Sequence, residues 1–85
     1  MKLDEKTMRL IAVGAAITAN CQPCLQTSVT KALDAGIGEQ EITDAIEVGK
    51  MVRRGAASKM DQFVMSLDLA IPVTANAADV GCGCS

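Results

Sequence analysis

Cysteine is the residue type in this chain best suited to chemistry, and its four copies form two close pairs. The first pair is Cys21-Gln22-Pro23-Cys24, with two residues between the thiols. If a helix begins here, the two sulfurs lie within one turn and can close a disulfide. The free amides of that turn also stabilise a thiolate, which we expect at Cys24. Because thiolate is the nucleophile in disulfide exchange and in attack on peroxides, this spacing favours redox chemistry.

Two other interpretations of this first pair remain open. Free cysteine is among the most frequently buried residue types, so the pair can be two small core side chains. It can equally be half of a zinc or iron–sulfur site, because both kinds of site use thiolate ligands. The position of the pair, between an apolar segment and a segment that starts with proline, favours the redox interpretation.

The second pair, Cys82 and Cys84, lies among glycines at the end of the sequence. Twelve residue steps separate Pro72 from Cys84, roughly 40 Å at full extension, so this segment can reach Cys21 and Cys24 of its own or a neighbouring subunit. It can then act as an auxiliary thiol pair that passes electrons to the first. Alternatively, the four thiolates can hold a soft ion such as Zn²⁺, Cu⁺, arsenic(III) or mercury.

The composition removes several classes of function. The 85 residues suffice for one domain, and 49% of them are hydrophobic, too many for a disordered chain. The net charge is −2 and Phe63 is the only aromatic residue, so a basic face with stacking platforms for nucleic acid is not expected. Histidine is absent, so the chain has no imidazole base or imidazole metal ligand of its own.

Three helices must position the first cysteine pair, which makes the predicted fold all-α. The first extends from Asp4 to Asn20 with Asp4 as N-cap, and the second begins near Gln22 or Pro23 and ends at Gly36. A third begins at about Glu39, where early acids favour the positive end of the helix dipole. Its apolar stripe recurs at helical spacing and comprises Ile42, Ala45, Ile46, Gly49 and Val52.

Gly55 predicts a bend or short break, after which helix continues from Ala56 to Ala70 and ends at Pro72. Its inward face is predicted to carry Met60, Phe63, Val64 and Leu67. We therefore expect a helical domain over residues 1–71 and a flexible cysteine-containing tail over residues 72–85.

A short basic stretch surrounds this predicted bend. Its members are Lys50, Arg53, Arg54 and Lys59, with Glu47 and Asp61 close by in the sequence. Charges mixed in this way are typical of a solvated helix face, which is how we interpret the stretch.

The first helix is apolar around nearly its whole circumference, and 85 residues cannot easily cover such a helix. This predicts a homo-oligomer whose subunits share helices. The longest apolar stretch, roughly residues 10–19, is shorter than the ~20 residues that cross a bilayer, and no secretory cleavage site follows it. We therefore expect a cytoplasmic protein without a membrane partner.

Two runs of sequence, residues 9–24 and 32–48, resemble the carboxymuconolactone decarboxylase / alkylhydroperoxidase D superfamily. The likeness extends over residues 5–65 and depends on the order of apolar helix, Cys-x-x-Cys, Ala-Gly turn and Glu-rich helix start. It implies an all-α fold, assembly as trimers or hexamers with the cysteine pair near subunit contacts, and reduction of peroxides or disulfides. By this likeness Cys24 attacks the peroxide and Cys21 resolves it as a disulfide.

The chain departs from the peroxidase branch at two positions. That branch carries histidine four residues after its second cysteine, where this chain has Ser28, and a glutamate about three turns before the first cysteine, near Arg9. Hydroxyls of Thr27 or Ser28 can donate to a thiolate, and Arg9 can stabilise one by charge, but none is a general base. The decarboxylase branch fits less well, because its chemistry calls for an acid–base residue.

Together these observations predict a thiol-disulfide or peroxide-reducing oxidoreductase that acts on a small thiol or peroxide and needs no cofactor. Cys21 and Cys24 form its redox pair, and Cys82 and Cys84 its auxiliary pair. The alternatives are a metal or metalloid thiolate site built from these four cysteines, and an interaction scaffold that has kept the fold without the chemistry.

Overall fold

The computed structural model describes residues 1–69 of this protein and contains three α-helices joined by short turns. Helix α1 spans Glu5–Thr18, α2 spans Gln22–Asp34 and α3 spans Glu39–Met65. The described residues include no strand, so the all-α prediction is confirmed. The predicted tail over residues 72–85, with Cys82 and Cys84, lies outside the described residues, as do Ala70 and Pro72.

Helix α1 begins as its sequence predicts. Asp4 is the N-cap, and its Oδ1 accepts the backbone amide of Thr7 at 2.7 Å. Hydrogen bonding from Thr7 lowers the pKa of the Asp4 carboxyl below its ordinary value of 3.8, because the bonds favour the charged form. The cap therefore holds most firmly when this carboxyl is ionised.

Helix α1 ends two residues earlier than predicted, because Asn20 adopts a left-handed conformation with φ 55°. The Asn20 amide donates to the Ile17 carbonyl at 3.1 Å, and the Cys21 amide donates to the Ala16 carbonyl at 3.0 Å. This pair of bonds is the Schellman motif, which satisfies the last carbonyls of a helix and reverses the chain. Asparagine is among the few residues that tolerate this conformation at modest cost.

Helix α2 ends in the same motif, with Gly36 at φ 83°. The Gly36 amide donates to Leu33 at 2.9 Å and the Ile37 amide donates to Ala32 at 3.1 Å. The predicted end at Gly36 is therefore confirmed. Helix α3 then begins at Glu39, as expected, with Gly38 as an N-cap that offers no side chain.

Helix α1 lies between its two neighbours and packs against both, whereas α2 and α3 touch each other only slightly. The buried core is small and comes from all three helices and the second turn. Its members are Val13, Ala32, Ile37 and Ile42, with Leu10, Leu25, Val29, Ala45 and Ile46 packed around them.

Helices α1 and α3 run in parallel and approach most closely at two glycines. Gly14 and Gly49 face each other, and a Cβ built on Gly49 would collide with the Gly14 carbonyl oxygen and lie 2.8 Å from the Cβ of Ile17. The Thr18 hydroxyl, in the last turn of α1, lies 3.1 Å from both the Gly14 and the Gly49 carbonyl oxygens. The absence of side chains at this contact is what lets the two backbones meet.

The expected bend at Gly55 is wrong, because α3 continues through this residue without a break. One glycine costs a helix about 1 kcal/mol, which the good helix formers on both sides outweigh. The helix ends at Met65, and the amide of Ser66 caps the last carbonyls.

The predicted inward face of the later half of α3 is also wrong within the single chain. Met60 is 61% exposed, Phe63 is 59% exposed and Leu67 is 42% exposed, while Val64 is half-buried. The reason is length: α1 ends beside Arg53, so the last twelve residues of α3, roughly 18 Å, have no α1 next to them. Their apolar stripe has the predicted period but no intramolecular partner.

Over residues 1–69, none of the three helices combines the length and the apolar character that crossing a bilayer requires.

Candidate redox site

The first cysteine pair lies where α1 gives way to α2. Cys21 is the N-cap of α2, and Cys24 is the third residue of that helix. Their sulfurs are joined as a disulfide, and their Cα atoms lie 5.2 Å apart. The prediction that this spacing closes a disulfide within one helical turn is confirmed.

The free amide at the start of α2 donates to the sulfur of Cys21, whereas we expected such donation to the sulfur of Cys24. Cys21 has extended backbone, and its Sγ accepts the backbone amide of Cys24 at 3.3 Å. The next amide, from Leu25, is already bonded to the Cys21 carbonyl at 3.0 Å, and Pro23 has no amide hydrogen. The sulfur that gains hydrogen bonding at this helix end is therefore that of Cys21, and not that of Cys24.

The two cysteines also differ in exposure. Cys24 is exposed, whereas Cys21 is half-buried against the end of α1. Cys24 is therefore the more accessible residue of the pair. Thr27 is exposed and Ser28 is half-buried, and both follow Cys24 by one turn on the same helix face. Among the described hydrogen bonds, neither hydroxyl donates to a cysteine sulfur.

The structure does not bring Arg9 to the pair. Seven residue steps along α1, roughly 10 Å of helix axis, lead from Arg9 to Ala16, whose carbonyl accepts the Cys21 amide. Its guanidinium turns the other way, toward the Glu5 carboxylate at 3.4 Å. The Arg9 Nε is buried, with no hydrogen-bond partner among the described residues.

Arg53 reaches this site although the sequence interpretation placed it on a solvated face. Its Nη1 donates to the Asn20 Oδ1 at 3.0 Å and to the Ile17 carbonyl at 3.4 Å. The signal that could have found it is positional: Arg53 follows Ile46 and Gly49 at helical spacing, on the face of α3 that packs against α1. Lys50, another member of the basic stretch, agrees with the predicted solvated face of mixed charges, because its Nζ lies 3.4 Å from the Glu47 carboxylate.

Residues 1–69 do not test the predicted four-thiolate metal site. Residues 1–69 contain no group of three or more side chains of the ligand types histidine, cysteine, aspartate and glutamate that could hold an ion. The predicted four-thiolate alternative needs Cys82 and Cys84, which lie outside the described residues, so it stays a prediction.

Comparisons with known proteins give one family and one curated relative. The family model described as "Carboxymuconolactone decarboxylase family" matches residues 1–60, which include all of α1 and α2 and most of α3. "Uncharacterized protein 4 in cox locus" of Paracoccus denitrificans is 38% identical over 55 residues, which make up 65% of this chain and 50% of that protein. This chain thus spans about half the length of that relative. No solved structure matches.

Proposed function

Since this chain belongs to the carboxymuconolactone decarboxylase family, we propose that it is a thiol–disulfide oxidoreductase whose Cys21–Cys24 pair exchanges electrons with a small thiol. The observation that carries the proposal is the disulfide across the first turn of α2, with Cys24 an exposed residue and the sulfur of Cys21 hydrogen-bonded at the N-cap. We place this reaction in the cytoplasm, where thiol pools continually reduce such pairs.

The unequal environments of the two cysteines support a particular order for the exchange. A small thiolate attacks the Sγ of Cys24, the more exposed residue, a new S–S bond forms there, and the Cys21–Cys24 bond breaks. The electron pair stays on the Cys21 sulfur, where the Cys24 amide stabilises the thiolate and so favours it as leaving group. A second thiolate then attacks the mixed disulfide, releases an oxidised dimer of the small thiol, and leaves both cysteines reduced.

Reoxidation by a peroxide uses the same two sulfurs in the roles that the family resemblance implies. The Cys24 thiolate attacks a peroxide oxygen, the O–O bond breaks, and sulfenic acid forms with release of an alkoxide or hydroxide. Cys21 then attacks the sulfenic sulfur, which restores the disulfide and releases hydroxide. Since Ser28 stands where the peroxidase branch has histidine, the leaving oxygen takes its proton from water, and we expect peroxide reduction to be slower than thiol exchange.

Trapping with glutathione tests this assignment. In Cys21→Ser the mixed disulfide on Cys24 has no resolving partner, so we expect it to accumulate and to be visible by mass spectrometry. In Cys24→Ser the remaining cysteine is a half-buried residue, and we expect it to react at least several-fold more slowly. The matched control is the double variant Cys82→Ser/Cys84→Ser, which keeps the helical pair intact.

Two outcomes would contradict the proposal. One is a wild-type pair that stays in a single redox state at every ratio of reduced to oxidised glutathione, as expected of a scaffold without chemistry. The other is an exchange rate that is unchanged in both single variants and lost in the control, since the second cysteine pair would then carry the reaction.

We also propose that the protein works as a homo-oligomer, as the family resemblance implies for trimers or hexamers. An open apolar groove of about 460 Å³ lies between α1 and α3. Ile11, Val48 and Val52 line it and remain about half exposed, although each is an aliphatic side chain that water disfavours. The uncovered end of α3 adds Met60 and Phe63 to the exposed apolar surface.

A further inference from the structure

Cys21 has two structural roles at once, and both depend on the residue before it. Its amide closes the Schellman motif of α1 by donating to the Ala16 carbonyl, and its sulfur is the N-cap acceptor of α2. Asn20, the left-handed residue, sets the direction in which the chain leaves α1. The position of the Cys21 sulfur relative to Cys24 therefore follows from the conformation of Asn20.

That conformation is disfavoured for a residue with a side chain, and Arg53 holds it from outside the turn. One nitrogen of the planar guanidinium, Nη1, carries two N–H donors at a fixed angle and serves both of the nearby acceptors. Here one acceptor is the Asn20 Oδ1 and the other is the Ile17 carbonyl, in the last full turn of α1. Arg53 thus ties the turn to the helix end, where a cation is also favourable to the helix dipole.

The helix that carries Arg53 is itself held in place. The close contact between Gly14 and Gly49 lies one turn before Arg53 on α3, and Thr18 bonds across it. Arg53 therefore lies on α3, a helix packed against α1, and not on a loop. The residue is half-buried. Arg54, the next residue, is exposed, and its side chain makes no hydrogen bond or ion pair with residues 1–69.

From this geometry we propose that Arg53 is a positioning residue for the redox pair, holding the Asn20 turn so that Cys21 stays within bonding reach of Cys24. This role rests on the proposed function of the pair. It matters most after the disulfide is reduced, because the covalent link that also held the two residues together is then gone. The quantity that Arg53 controls is the effective concentration of one thiol at the other.

The test measures that effective concentration by equilibrating the full chain with mixtures of reduced and oxidised glutathione. For Arg53→Gln we expect a fall of about fivefold, the size expected for losing a partly exposed charged hydrogen bond. Arg53→Lys, which keeps the charge without the planar guanidinium, should fall by less. Arg54→Gln is the matched control and should equal the wild type, with helical content followed by circular dichroism in each variant.

A double-mutant cycle with Asn20→Gly shows whether Arg53 acts through the turn. Glycine adopts the left-handed conformation freely but has no side-chain acceptor. If the two residues work as one unit, Arg53→Gln changes the effective concentration clearly less in the Asn20→Gly background than in the wild type. Equal effects in both backgrounds would mean that Arg53 does not act through Asn20 and would overturn the proposal.

The remaining outcomes separate the two proposals. If the wild-type pair does not exchange with glutathione at all, the proposed function fails. If the wild type exchanges and Arg53→Gln matches Arg54→Gln, the positioning role alone is overturned. If Arg53→Gln loses its helices, Arg53→Lys replaces it in the same cycle. An effective concentration equal to that of the wild type then contradicts the positioning role, and a lower one supports it.

Discussion

Two side-chain acceptors lie at the starts of helices, where backbone amides have no partner within the helix. Asp4 and Cys21 fill the same structural role at the starts of α1 and α2, and each accepts the amide of the residue three positions later. One does so with a carboxylate oxygen and the other with sulfur. The Cys21 sulfur therefore contributes to the helix start with the same atom that the proposed function uses for redox chemistry.

The Asp4 cap predicts a pH dependence of stability. Its pKa is lowered in the folded chain by hydrogen bonding from Thr7, so the unfolded chain binds a proton more readily. The stability that this adds is present above the ordinary value of 3.8 and is lost as the pH falls through the lowered pKa. We expect Asp4→Asn, which does not titrate, to melt below the wild type at neutral pH.

Thermal melts of both proteins from pH 7 down to about pH 2.5 check this expectation. The difference in melting temperature should shrink as the pH falls through the lowered pKa of Asp4, because the carboxyl then becomes protonated in the folded chain as well as in the unfolded one. A difference that stays constant over the whole range would assign the effect to something other than ionisation of Asp4.

Among the elements, the pairing of α1 with α3 decides the geometry of the site. The parallel alignment is marked by the ion pair Lys6–Glu41 at one end and by the contact of Arg53 with Asn20 at the other. Between them the backbones meet at Gly49, where no side chain fits. Any change that separates these helices also withdraws Arg53 from the turn before Cys21.

Two glycines of α3 give a matched pair of variants for this contact. Gly49→Ala places a methyl group against the Gly14 carbonyl, and we expect it to lower the free energy of unfolding by about 1–3 kcal/mol. Gly55→Ala places the same group in open space, and should raise it by about 0.5–1 kcal/mol through helix propensity. Urea denaturation measures both. Equal effects of the two substitutions would contradict the close packing of α1 on α3.

Over residues 1–69, many large apolar side chains stay exposed beside a small buried core. The buried hydrophobic residues are few and mostly small, whereas large side chains along α1 and α3 face outward. A chain of this length gains little stability from so small a core unless association or covalent links add to it. The uncovered stripe on α3 and the groove beside it are where a second subunit would bury the most apolar area.

This surface predicts the effect of a single charge on assembly. Val52 lines the groove and is 50% exposed, so Val52→Glu should place a carboxylate in the subunit contact and shift the protein to smaller species. Thr43 is exposed and lies nine residues earlier, on the opposite side of the same helix, so Thr43→Glu is the matched control. Sedimentation velocity measures the mass, and an oligomer that survives Val52→Glu unchanged would exclude this face as the contact.

The sequence by itself determined what is local. The Asp4 cap, the helix start at Gln22 and the turn at Gly36 follow from the preferences of a few neighbouring residues, and the disulfide follows from two cysteines that share one helical turn. Spacing along the chain suffices for these features because the groups that satisfy each other are three to five residues apart.

The tertiary structure alone decided which groups from distant parts of the chain meet. Arg53 bonds Asn20 across 33 positions because α1 and α3 run in parallel and touch at glycines, which no local preference specifies. Helix α3 likewise continues through Gly55 because the whole helix is stable, although glycine has a low helix propensity. The exposure of side chains was also decided by the tertiary structure. The apolar stripe that includes Phe63 has the spacing of a buried helix face, but it extends past the end of α1, the helix that would cover it.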